Sequence, residues 1–104
     1  MANLDETMKM LKVAYLKKLK TADAPELKEK ISATIDFDKA IEIKAIVHKI
    51  SGTGGMYGLK EISENATDCE LYLNKVKENP SELDSDLLTQ KVSHIIELIE
   101  KEEG

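Results

Sequence analysis

Along most of this chain the apolar residues recur at steps of three and four, the period of one face of an α-helix. Leu4, Met8, Leu11, Tyr15 and Leu19 form a first stripe, predicting a helix over about 4–20 opened by Asn3 with Glu6 three positions on. Asp23 with Glu26 repeats that capping pattern, and Pro25 fits a helix start because its missing N–H breaks no bond there. A short helix over about 24–35 follows, with Leu27, Ile31 and Ile35 inward. Asp36 to Asp38 reads as a break, with Asp38 as the cap of the next element.

The stretch from Lys39 to Gly54 is ambiguous over a few residues. Ile41 to Ala45 alternates as a strand would, but Ala40, Ile43, Val47, Ile50 and Gly54 fall within about 80° of one another at 100° per residue. The helical pattern persists for four turns while the alternation fails at Ile46 and Val47, which predicts a helix over about 38–54. Leu59, Ile62, Ala66, Cys69, Leu73 and Val76 make the most regular seam, a helix over about 58–79 stopped at Pro80. Ser81 with Asp84 then opens a last helix over about 82–102, with Leu88, Val92, Ile95 and Ile99 on one face. Amphipathic helices joined by short connections predict an all-α fold, an antiparallel helical bundle, in a single domain over 1–104.

Composition narrows the function more than the fold. With 15 lysines, no arginine and 20 carboxylates the net charge is −5, spread along the chain. Phosphate backbones and anionic lipid are therefore unfavourable partners, and the guanidinium fork that grips guanine is missing. The single Cys69 closes no disulfide and makes no zinc site alone, which suits a reducing compartment. No apolar run approaches the roughly 20 residues needed to cross a bilayer, and the first residues lack the basic and apolar blocks of a signal peptide. A soluble cytoplasmic protein is expected, free-standing from Met1, that binds neither nucleic acid nor membrane.

Four of the five glycines crowd together at Gly52, Gly54, Gly55 and Gly58. A phosphate-cradling loop is the first candidate, and the spacing rejects it: Tyr57 stands where a Rossmann fingerprint needs glycine, and Leu59 where a Walker loop needs lysine. A turn between helices accounts for Gly58. It accounts less well for Gly52, since glycine inside a helix costs about 1 kcal/mol relative to alanine. On the helical wheel Gly52 lies one turn beyond His48, which borders the polar side, with Lys44, Ala45, Ser51 and Gly55 also near it. Little side-chain bulk screens this imidazole, so Gly52 and Gly55 clear its approach. His94, beside the last apolar stripe, has no such surroundings. A neutral imidazole is a nucleophile near neutral pH. No catalytic triad or local metal-ligand spacing accompanies His48, so its electrophile must come from outside.

The stretch Ala45 to Leu59 resembles the signature of histidine-containing phosphotransfer (HPt) domains, with His48, Gly52, Gly55, Tyr57 and Gly58 in register. The following helix is similar too: Ile62, Ala66 and Cys69 take its apolar positions and Glu70 its frequent acidic one. One position departs, because Ser51 stands where many members carry lysine three residues after the histidine. The resemblance implies a phosphocarrier without autokinase activity in a multistep His-Asp phosphorelay. His48 would accept a phosphoryl group from a receiver-domain aspartate and pass it to a response regulator. Receiver domains of hybrid histidine kinases and response regulators are the implied partners, and they would supply Mg²⁺; this chain would bind no cofactor or metal. Lys44, Lys49 or Ser51 would compensate for the absent lysine. The implied fold is an antiparallel up-down-up-down four-helix bundle with an additional N-terminal helix that would cap its end. An adaptor that docks receivers without being phosphorylated is the alternative, against which the presence of His48 argues; a small nucleotide-binding enzyme is disfavoured by the spacing above.

Overall fold

The structure is a computed structural model that describes residues 4–103. Among the described residues it is helical without a strand: α1 (Leu4–Lys18), a π-helical turn (Leu19–Asp23), α2 (Ala24–Lys30), α3 (Phe37–Met56), α4 (Lys60–Glu78), a 3-10 turn (Pro80–Glu82) and α5 (Ser85–Lys101). The strand-like stretch Ile41 to Ala45 lies inside α3, as the four-turn pattern requires. The expected cap Asn3 lies outside the described residues.

The apolar seams meet in one core. Ala40, Ile43, Val47 and Ile50 of α3 are buried against Ile62, Ala66, Cys69 and Leu73 of α4 and Leu88, Val92, Ile95 and Ile99 of α5, with Leu16, Leu19, Leu27 and Ile35 closing it. The register of α3 on α4 is explicit in three contacts: His48 with Glu70, Ser51 with Thr67, and the Ser51 carbonyl with the Ser63 hydroxyl. Numbers rise on one helix as they fall on the other, so these two form a hairpin. Its turn is Gly58, whose φ of 75° lies in the left-handed region open to glycine. Between α4 and α5 the Tyr72 hydroxyl donates to the Glu82 carbonyl at 3.1 Å and accepts from the Asp84 N–H at 2.8 Å, pinning the bend after Pro80.

Three local expectations are corrected. Asp36, not Asp38, caps α3, its carboxylate accepting from the Lys39 N–H at 2.8 Å, so the helix begins at Phe37. Asp84, not Ser81, caps α5 by accepting from the Leu87 N–H at 3.1 Å, while Ser81 sits in the preceding 3-10 turn. Asp23 caps nothing: it pairs with Lys18 at 3.2 Å, and the backbone passes from α1 to α2 without leaving the helical region. The break expected there is replaced by a π turn, in which the Ala24 N–H reaches back to the Leu19 carbonyl. Pro25 explains the widening, because it brings no N–H and its ring crowds the carbonyl four residues earlier. The second helix also ends at Lys30 rather than 35, although Ile35 is buried as expected.

The first stripe is buried only at its end. Leu19 is fully buried and Tyr15 half-buried, whereas Leu4, Met8 and Leu11 are exposed, Leu4 to 77%. Instead of closing over the bundle, α1 runs beyond it, and the described chain is 55 Å long against 23 and 18 Å across. What ties α1 down is Tyr15, whose ring packs on Tyr57 at the end of α3 with centroids 5.4 Å apart.

Candidate functional site

Burial of Val47 and Ile50 fixes the rotation of α3 and leaves His48 on its outer edge, with 71% of its side chain exposed. In the same way, burial of Ala66, Cys69 and Leu73 turns Thr67 and Glu70 of α4 toward that edge. The Glu70 carboxylate meets Nδ1 of His48 in a direct hydrogen bond. An ionised carboxylate only accepts, so the nitrogen facing it holds the proton, and the outer nitrogen, Nε2, keeps a free lone pair. Glu70 thereby orients the ring and sets its tautomer, as an outer-shell carboxylate does for a ligand histidine.

Ile41, Lys44, Ala45, His48 and Glu70 line an open concavity of about 320 Å³. Lys44 therefore shares the surface of the imidazole. Lys49 does not: it lines a separate concavity with Lys18, Glu26, Lys30 and Glu42 on the side toward α2. Ser51 is turned to the α3–α4 seam, where its hydroxyl bonds that of Thr67.

The two glycines assigned to clear the surface separate. A methyl group at Gly52 would meet nothing within 4 Å, so no contact within the chain calls for glycine there. At Gly55 a methyl would come within 3.2 Å of the Ser63 hydroxyl, which itself donates to the Ser51 carbonyl at 2.7 Å. Gly55 thus allows α3 and α4 to close, while Gly52 leaves the surface beyond His48 bare. Other candidate nucleophiles fall away. Cys69 is buried, and burial pushes its thiol up to about 12, so it stays protonated and inert in the core. His94 is exposed on α5 beside Glu97 at 3.8 Å, with no further site around it. Among the described residues no group of three or more His, Cys, Asp or Glu side chains could hold a metal ion.

An exposed imidazole, hydrogen-bonded through Nδ1, thus stands midway along a bundle helix one turn before a bare glycine. The Hpt domain family model matches residues 17–102, nearly the whole chain. The chain belongs to the Hpt domain family. No curated protein and no solved structure matches it. The match covers the π turn, the three long helices of the core and the site residues, and it begins where α1 ends, so residues 4–16 lie outside it. Membership implies a phosphotransfer role in a His-Asp phosphorelay, and domains of this family are phosphotransfer carriers, not kinases. No described helix is long and apolar enough to cross a membrane.

The residue that reading the sequence underused is Glu70, which was placed only as an acidic position of the family pattern. The signal that finds it is its position: Glu70 directly follows the seam residue Cys69, so it borders the buried face of α4 as His48, directly after Val47, borders that of α3. Thr67 and Ser63 carry no such signal, because hydroxyl side chains are common on helices.

Proposed function

We propose that this Hpt domain is a phosphocarrier whose accepting atom is Nε2 of His48, taking a phosphoryl group from the aspartate of one receiver domain and giving it to that of another. The observation that carries this reading is the Glu70 bond to Nδ1 on an otherwise bare, exposed imidazole. The Nε2 lone pair attacks phosphorus in line, the N–P bond forms, and the P–O bond to aspartate breaks with its electron pair leaving on the carboxylate. The ring retains its Nδ1 proton and becomes cationic, and Glu70 faces that charge, so no proton has to be lost during transfer. Reversal against a second receiver returns the neutral ring.

Such transfer rests on positioning and on neutralising the phosphoryl oxygens. Mg²⁺ and most of the charge belong to the receiver. On this side Lys44 is the cation that shares the His48 concavity, and Ser51 is the hydroxyl one turn beyond the imidazole. Gly52 contributes by its lack of a side chain, which lets the receiver surface reach the ring. Lys49 and Gly55 take lesser parts, the first as a flanking charge and the second in helix closure. An up-down-up-down antiparallel bundle with α1 added at its N-terminus, working in the cytoplasm without a resident cofactor, completes the assignment.

The test is incubation with a phosphorylated receiver domain and Mg²⁺, followed by intact mass measurement. One added phosphoryl group, lost in acid and absent from His48→Gln, is the expected result. Labelling of His48→Gln would move the site, and receiver binding without labelling of the wild type would make the chain a docking adaptor.

A further inference from the structure

We propose that α1 is a dimerisation helix, which pairs antiparallel with α1 of a second copy of this chain. Leu4, Met8, Leu11 and Tyr15 are spaced four, three and four apart, the heptad seam of a coiled coil, and the first three are exposed. The bundle does not cover them, and the helix that bears them lies largely outside the residues matched by the family.

Charge selects the occupant and its direction. Set antiparallel on itself, the seam stacks Met8 on Leu11 of the second copy and Leu4 on the second copy's Tyr15, twice each by symmetry. The positions flanking this seam on one side are Asp5 and Lys12, which then face each other across the two helices in two identical ion pairs; the other side brings Thr7 to Ala14, both uncharged. In a parallel pair the same flank would instead set Lys12 beside Thr7 of the second copy and leave Asp5 without a cation, so neither ion pair forms. Met8, Lys9, Lys12, Met56 and Tyr57 line a concavity of about 210 Å³ beside the seam, at the junction of α1 with α3. Met56, 67% exposed, adds apolar surface there. An anionic lipid surface would have to accept a chain of net charge −5 and is the less favourable partner.

A seam of two heptads is small for a protein interface, so dimerisation is expected within the micromolar range, in sedimentation velocity runs spanning roughly 5 to 500 µM. Leu11→Glu should remain monomeric throughout, whereas Met10→Glu, a change off the seam, should dimerise as the wild type does. Asp5→Lys and Lys12→Asp should each weaken association several-fold, and the Asp5→Lys/Lys12→Asp double variant should recover it, because the exchange recreates both ion pairs. The variants alter exposed positions, apart from the half-buried Lys12, and circular dichroism checks that each keeps its helix content. A wild type that is monomeric at every concentration overturns the proposal, as does dimerisation abolished by Met10→Glu but not by Leu11→Glu. A double variant as weak as the single ones overturns the antiparallel pairing. Binding of a monomer to phosphatidylglycerol vesicles, lost in Leu11→Glu, would assign the face to lipid instead.

Discussion

Glu70 on α4 holds Nδ1 of His48 on α3, so the helix that carries the proposed acceptor imidazole is not the one that sets its tautomer. Removing the carboxylate frees the ring to rotate and to place its proton on either nitrogen. Glu70→Ala is expected to slow transfer from a phosphorylated receiver by about tenfold or more, the scale of losing an outer-shell partner of a histidine. Glu70→Gln keeps an accepting oxygen but not the charge, and should lie between Ala and wild type. Rapid-quench measurement of phosphoryl transfer, with the helix content unchanged, checks both.

Gly52 should show stability and transfer moving in opposite directions. Its Cβ would meet no atom within 4 Å, so Gly52→Ala gains helix propensity at no steric cost, roughly 0.5–1 kcal/mol. That corresponds to a rise in melting temperature of a few degrees for a domain of this size, about 2–8 °C. A large residue such as Leu should keep the fold while lowering transfer by about tenfold or more, because it stands where the receiver must approach. Thermal melts run beside the transfer assay separate the two effects.

Gly58 should behave differently, as a residue of the fold and not of the surface. Its φ of 75° strains any residue with a Cβ, although nothing crowds the position. Gly58→Ala is expected to cost about 1–2 kcal/mol in urea unfolding. Transfer at temperatures well below the melt should be nearly unchanged.

Tyr15 gives the α1 junction a pH dependence at the alkaline end. Burial raises its hydroxyl from 10.0 to about 12, and the nearby Asp23 carboxylate adds to the shift. The folded chain thus holds this proton more tightly than the unfolded one. Its contribution is complete below about pH 10 and is lost as the pH climbs toward 12. Lys30, raised chiefly by its hydrogen bond to Glu42, has the same sign. Alkaline unfolding should therefore set in later for Tyr15→Phe than for the wild type, and the tyrosinate absorbance missing from Tyr15→Phe should be the part that appears near pH 12.

The sequence was most legible where burial is decided by period alone. Every apolar position assigned to the seams of α3 and α4 is buried, because a seam of steps three and four leaves one way to turn each helix. His48 and the bare Gly52 could be found for the same reason, since a wheel fixes what borders the buried face. Capping was less legible: Asp36 and Asp38, or Ser81 and Asp84, are equally good side chains, and the choice between them depends on where the preceding loop lets the backbone turn. The Gly55 contact with Ser63 and the Glu70 contact with His48 join residues on different helices, and a pattern read along one helix cannot show how the next one is set against it. The first stripe misled for a related reason. Periodicity records that Leu4, Met8 and Leu11 share a side, not whether this chain supplies what covers them.

The π turn between α1 and α2 has a consequence for direction. An additional residue within a helical path advances the phase of everything before it by about 100°. The widened turn at Leu19–Asp23 therefore acts as an angular offset, and it decides which azimuth of the N-terminal rod looks toward Met56 and Tyr57. Shortening that turn by one residue would leave α1 equally helical and equally long, yet swing the Leu4–Leu11 stripe about a quarter of a revolution away.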